Sequence, residues 1–301
     1  MMDKKESGCM RKTTYIITVM VLAVVGFVVF SFFVGRNYSF PRTGKERGEL
    51  EAILRDLDVK VWFQKKVKAE EIQRWLDTRD EVVVRLQELG TNILPQLMEK
   101  VREAGRIAER NPSAGLELNA QLAFVFQVLG SNAAPLLPEL IKEYQAGRSI
   151  GPALAGIVAI GATEGGLAIV PGLTNVDPGV RLATISAISY FRTNSAVVDQ
   201  ALPLLLKNLG DTSGSVRAAA ASVLGSFRSQ PEVVIPALIK LAETDEDLVV
   251  RSVAIKAIGQ FGSEGAIALS NLERIARFDS EEVVRRAATN AIRSIKGEID
   301  K

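Results

Sequence analysis

A Val-Arg pair recurs through the second half of the chain, at Val180-Arg181, Val216-Arg217, Val250-Arg251 and Val284-Arg285, with the arginines 36, 34 and 34 residues apart. A repeat of that length marks stacked helical hairpins, because a single hairpin cannot bury its apolar face alone and needs neighbours to form a core. Counting from each valine, the third position holds Ala183, Ala219, Val253 and Ala287, and the fourth holds Thr184, Ala220, Ala254 and Ala288. The seventh holds Ala187, Val223, Ala257 and Ala291, and the eighth Ile188, Leu224, Ile258 and Ile292. This spacing draws one apolar stripe on a helix of 3.6-residue period. The small residues at the third and fourth positions let a neighbouring helix come close.

Each unit opens on an acid, Asp177, Asp211, Asp245 or Asp279. The four are superposed, and a carboxylate there can accept the first free N–H groups of the helix. Asp177-Pro178 adds a proline at the first helical position, where its missing N–H costs nothing. Gly90, Gly130, Gly161, Gly225 and Gly259 stand where the first helices are expected to stop. Pro95, Pro138, Pro171, Pro203 and Pro236 stand where the second helices are expected to open. The repeats are placed at 78–301. The units between 81 and 172 are more divergent, and Val84-Arg85 fits the pattern only loosely. Residues 48–77, with Leu54, Trp62 and Trp75, read as an N-terminal helical cap.

Residues 15–35, YIITVMVLAVVGFVVFSFFVG, carry no charge, and as a helix they would run about 30 Å, the thickness of a bilayer core. Lys4, Lys5, Arg11 and Lys12 precede the run in a short head, 1–14, and Arg36, Arg42, Lys45 and Arg47 follow it in a linker, 36–47. A cleaved signal peptide would need a shorter run with small residues after it, and here the run ends Phe32-Phe33-Val34-Gly35-Arg36. The expectation is a retained transmembrane helix. Positive charge is nearly balanced across it, and the short head favours a cytoplasmic N-terminus. The repeats would then lie on the extracytoplasmic side of a bacterial inner membrane.

The chain has no histidine and a single cysteine, Cys9. That removes histidine triads, most zinc and haem sites, and any internal disulfide or CxxC motif. No catalytic, cofactor-binding or metal-binding residue is assigned. Glu70-Glu71 and Glu281-Glu282 are adjacent pairs that diverge around a helix, and Gly165-Gly166 has no phosphate-loop context. Residues 1–47 hold eight of the 37 Lys and Arg and three of the 35 Asp and Glu, which leaves the rest at 29 basic against 32 acidic groups, about −3. A nucleic-acid binder needs a basic field, so none is expected as a partner.

The run from Asp211 through Val216-Arg217 and Ala219-Ala220 to Leu224-Gly225 resembles bacterial HEAT repeats of the phycobilisome-lyase-like subtype. The phrase from Leu89 to Pro95, LGTNILP, resembles units of membrane-anchored HEAT proteins. The resemblance implies an all-α fold, a right-handed α-solenoid (superhelix) of HEAT-type hairpins, here with one N-terminal transmembrane helix. It implies protein–protein scaffolding, with the second helices lining a concave face. A phycobilisome-lyase-like enzyme or chromophore-binding protein is the alternative it carries. It also implies that Arg181, Arg217, Arg251 and Arg285 pair with aspartates of adjacent units, a structural role suited to the arginine fork.

A second series lies four residues after the opening proline of each second helix, or at its equivalent. Its members are Glu99, Lys142, Asn175, Lys207, Lys240 and Arg274. At 100° per residue this position faces away from the apolar stripe. Lys142, Asn175, Lys207, Lys240 and Arg274 therefore form the candidate partner-binding stripe, suited to a protein or peptide with acidic character. A lysine also simply suits a solvated helix position, and both readings stand at this point.

Overall fold

The computed structural model describes residues 49–57 and 69–298. The head, the expected span at 15–35, the linker, Trp62 and the last three residues lie outside the described residues, as does the side chain of Trp75. The chain divides into two compact units, Met1–Ala133 and Ala134–Lys301. Every element among the described residues is helical.

The first unit contains α1 (Glu49–Asp56), α2 (Ala69–Leu89), a 3-10 turn (Gly90–Ile93), α3 (Leu94–Arg110) and α4 (Pro112–Leu129). The boundary expected between 77 and 78 falls inside α2. Leu50, Ile53 and Leu54 bury one face of α1. The Gln121 amide on α4 donates to the carbonyls of Leu54 and Leu57 at 2.7 and 3.0 Å, which satisfies the end of α1. Arg85 joins Asp56 at 2.6 Å. The carbonyls that a short helix leaves open are thus closed by residues far along the chain.

A 3-10 segment, Gly130–Leu136, leads on. The second unit then contains α5 (Leu137–Gln145), α6 (Ile150–Ile160), α7 (Thr163–Ile169) with a 3-10 extension (Val170–Thr174), and α8 (Pro178–Ile188). It continues with α9 (Ser195–Asn208), α10 (Gly214–Phe227), α11 (Pro231–Thr244), α12 (Leu248–Gln260), α13 (Leu269–Phe278) and α14 (Glu282–Ile295). First helices α6, α8, α10, α12 and α14 pack on one another in series, and the second helices α5, α9, α11 and α13 each pack on the first helix that follows. The result is an all-helical repeat solenoid. Run 114–145 is the one stretch of described residues apolar enough to cross a membrane by composition. Gly130, at φ +51°, breaks it into α4 and α5; Leu122, Val125, Phe126, Leu129 and Leu140 within it are buried.

The stripe read from the sequence forms the core. Thr184, Ala220, Ala254 and Ala288 have no exposed surface, nor do Ile188, Leu224 and Ile258. The buried face is wider than one stripe. Ile185, Ala221 and Ile255, five positions after the valines, are also fully buried, because an internal first helix has a neighbour on each side. Asn194 caps α9 by accepting from the Val197 N–H, and Asp247 caps α12 by accepting from Val249.

Two expectations about punctuation are corrected. Gly90, Gly130 and Gly161 do end helices, at φ +54°, +51° and +70°. Gly225 and Gly259 do not, and lie inside α10 and α12. A Cβ on Gly225 would stand 2.7 Å from both Cα and Cβ of Ala257, and one on Gly259 would stand 3.2 Å from Ala291. These glycines set the approach of successive first helices, and the stop after α12 falls to Gly262, at φ +59°. Likewise Pro95 and Pro138 open their helices and Pro171 opens only the 3-10 extension of α7, whereas Pro203 and Pro236 sit within α9 and α11. Each takes an N–H away from the carbonyl four residues earlier, at Asp199 or Glu232. Both of those residues are exposed, so water can satisfy the freed oxygens.

The glycine contact gives a test. Alanine is the better helix former by about 1 kcal/mol, so propensity alone would make Gly225→Ala stabilising. The collision with Ala257 must instead force α10 and α12 apart, and such overpacking costs about 1–3 kcal/mol. The expected result is a lower Tm by circular dichroism. A raised Tm would show that the two helices do not need their close approach.

Candidate partner-binding surface

Leu140, Leu173, Leu205, Leu238 and Leu272 are all fully buried, in α5, the 3-10 extension of α7, α9, α11 and α13. Two residues on, about 200° around a helix, come Lys142, Asn175, Lys207, Lys240 and Arg274. All five are exposed. The shared register follows from leucine burial, because a helix that drives one side inward must turn the opposite side out.

The five are not equivalent beyond that register. Lys142, Lys207 and Lys240 make no ion pair among the described residues. Arg274 is engaged by Glu243 of the preceding second helix at 2.6 Å, and Asn271 donates to the same carboxylate at 2.7 Å. Asn175 lies past the end of its 3-10 helix. Its side-chain oxygen accepts the Asp177 N–H at 2.9 Å, so it belongs to the loop and not to a helix face. The lysines are the part of the stripe left open to a partner.

Asn175 reveals a second register. Asp211, Asp245 and Asp279 accept the N–H two residues ahead, from Ser213, Asp247 and Glu281 at 2.8, 2.9 and 2.9 Å. Asn175 does the same for Asp177, so it is Asn175, five residues before Val180, that corresponds to the three aspartates. Asp177 is instead a helix cap, accepting from Gly179 at 2.7 Å. The superposition of Asp177 with the other three acids is therefore corrected by two residues.

The three aspartates also receive the arginines of the preceding units. Arg181 grips Asp211 with Nε and Nη2 at 2.7 and 2.7 Å. Arg217 grips Asp245 at 2.6 and 2.8 Å, and Arg251 grips Asp279 at 3.2 and 3.1 Å. Nη1 of each turns back to its own loop, donating to the carbonyls of Asn175, Asp211 and Asp245 at 2.7, 2.9 and 3.0 Å. The side chains of Arg217 and Asp245 are 12% and 4% exposed. Burial by itself would raise the carboxyls of Asp211, Asp245 and Asp279. The arginine hydrogen bonds, the loop N–H groups and the arginine charges outweigh it and hold all three below the usual 3.8.

Arg285 departs from the expected pairing. Its Nη1 donates to the carbonyls of Asp279 and Ser280 at 2.7 and 2.9 Å. No carboxylate among the described residues meets its other nitrogens.

Among the described residues no group of three or more His, Cys, Asp or Glu could hold a metal ion. In the first unit a cavity of about 370 Å³ is lined by Glu103, Arg106, Ile107, Arg110, Asn111 and Ala114. Glu103 is paired with Lys100 there at 2.8 Å, and no nucleophile faces a base.

Residues 202–293 match the family model for HEAT repeats. No curated protein matches the chain. Among solved structures, one engineered protein aligns at 16% identity over 83% of this chain and 98% of its own, with a TM-score of 0.40. A second aligns at 18% identity over 83% and 68%, with a TM-score of 0.47. A designed armadillo repeat protein in complex with the peptide (KR)4 aligns at 18% identity over 82% and 99%, with a TM-score of 0.42.

The aspartate shifts fix a pH dependence. A carboxyl held below its unfolded value contributes stability that is complete well above pH 3.8 and is lost as the pH falls through the folded value. Asp245→Asn removes the charge from an almost buried pair and leaves Arg217 unpaired, at an expected cost of about 3 kcal/mol at pH 7. Denaturant titration should show that deficit at pH 7 and a smaller one as the pH drops below 3.8. A deficit independent of pH would mean that the carboxylate charge is not what holds the junction.

Proposed function

We propose that this chain is a membrane-anchored scaffold of HEAT type that captures an acidic segment of a partner protein on the second-helix face of residues 134–301. Lys142, Lys207 and Lys240 are the capturing cations, and Arg274, held by Glu243, closes the series. The observation that carries the reading is the contrast between two sets of cations. The partly buried Arg181, Arg217 and Arg251 are consumed by the fold, whereas three lysines in one register are exposed and unpaired among the described residues. Cations that stabilise nothing in their own chain are free to act on another. The uncharged run 15–35 serves as the anchor in this reading, with the repeats outside the cytoplasm. A linker of about 12 residues would tether the first unit close to the bilayer.

The test uses the full chain in detergent with a fluorescent oligoglutamate peptide as probe. Lys207→Glu with Lys240→Glu should weaken binding by at least about tenfold, or about 1.4 kcal/mol, with the Tm unchanged because neither lysine touches the core. Wild-type binding should also weaken as salt is raised. Equal binding by the double variant would sink the stripe. Proximity labelling from a tag at Lys301 reports the compartment, and cytosolic neighbours would overturn the outward orientation.

A further inference from the structure

Arg285 is the one ladder arginine that meets no carboxylate among the described residues, and we propose that it is a docking site for an aspartate presented in a turn by an acidic peptide. The proposal stands apart from the lysine stripe, because Arg285 belongs to a first helix and not to a second.

The site is half built. At three junctions the arginine is first oriented by its own loop, through Nη1 and backbone carbonyls, and then closes on a carboxylate with Nε and Nη2. Arg285 keeps the first half in full, with two carbonyls at 2.7 and 2.9 Å. Its remaining nitrogens are therefore aimed where the other three arginines hold an acid. A fork already held in place loses little freedom on binding, and a bidentate guanidinium–carboxylate contact is among the stronger hydrogen-bonded pairs.

The surroundings decide between occupants. A further stacked helix is disfavoured. Nine residues after Val216 and Val250 stand Gly225 and Gly259, which permit the next first helix to lie against them. Nine residues after Val284 stands Arg293, exposed on α14, with exposed Arg286 and Thr289 beside it. Long polar side chains take the place of the glycine contact. A second copy of the chain also fits poorly. Its ladder carboxylates, Asp211, Asp245 and Asp279, already hold arginines, and its first ladder position is Asn175, which is neutral. What remains is a short acidic turn from another protein. Arg286 and Arg293 complement it in charge. Phe278, 77% exposed and next in sequence to the loop that orients Arg285, offers an apolar contact beside the aspartate.

The form of the ligand follows from the ladder aspartates. Each carboxylate both accepts the N–H two residues ahead and receives the arginine, so the preferred ligand is Asp-x-x folded on itself. The probe is therefore a labelled synthetic peptide copying residues 243–250, ETDEDLVV, titrated into the full chain in detergent. Wild type should bind it, and Arg285→Lys, which keeps the charge but loses the fork, should bind at least about tenfold more weakly. Because Arg285 also steadies its own loop, the probe is changed as well. A peptide with Asp245→Asn, titrated into unaltered protein, should lose binding to a similar extent. In the Lys207→Glu, Lys240→Glu double variant, which has lost the stripe, the Asp peptide should still bind at least about tenfold better than the Asn peptide, which separates this site from the stripe. No binding by wild type, equal binding of the Asn peptide, or loss of the difference between the two peptides in the lysine variant would each overturn the proposal.

Discussion

The contact on which the second unit depends is a guanidinium held between two backbones. Each ladder arginine ties its own loop through carbonyl oxygens and the next loop through an aspartate. That aspartate in turn closes its own turn by accepting an N–H. One pair of side chains thus fixes two loops and the spacing between them. The pairing bridges 28 to 30 residues, one repeat, so it never requires contacts farther along the chain. Such a stack gains stability unit by unit, through nearest-neighbour terms. The pairs are only a few to about a tenth exposed, which makes them costly to break singly and insensitive to salt compared with surface pairs.

The helices answer the same spacing with small residues. Alanine lines the fourth position of three of the four first helices that carry the Val-Arg pair, and glycine lies at the ninth in α10 and α12. The first helices therefore meet almost backbone to backbone. Burial is concentrated on that side and on one leucine face of each second helix. The opposite face of the second helices is released from any packing duty. That release is why Lys142, Lys207 and Lys240 can be lysines at all, and why altering them tests function with the fold held constant.

Periodicity made the repeats readable. Four residues after Val216, Val250 and Val284 the chain places Ala220, Ala254 and Ala288, and all are fully buried. The lysine register was equally readable, since it follows from the leucine two residues earlier. What failed was any residue whose meaning is set by a neighbour one repeat away. Glycine stops a helix in one setting and admits a second helix in another. Gly225 differs from Gly161 only because Ala257 lies against it. Pro203 and Pro236 looked like helix starts because proline favours that place, yet Asn194 and Pro231 set earlier starts. Asp177 looked like a ladder acid because it is acidic and near the right place. Only the hydrogen bonds distinguish its cap from the turn that Asn175 makes.

Those hydrogen bonds also give the ladder a direction. Arg181, Arg217 and Arg251 each reach forward to an acid in the next unit, so the two ends of the series are chemically different. At the near end stands an acceptor position, and Asn175 fills it with an amide oxygen that closes the turn and asks for no cation. At the far end stands a donor, Arg285, which no neutral substitution has silenced. A partly exposed guanidinium is stable in water without a partner, so the open end does not weaken the fold, and a ligand there would be gained or lost without rearrangement. Arg285 keeps the backbone contacts by which the loops hold the other three arginines, so the ladder is the same device at all four valine-arginine pairs and differs only in what the fork meets.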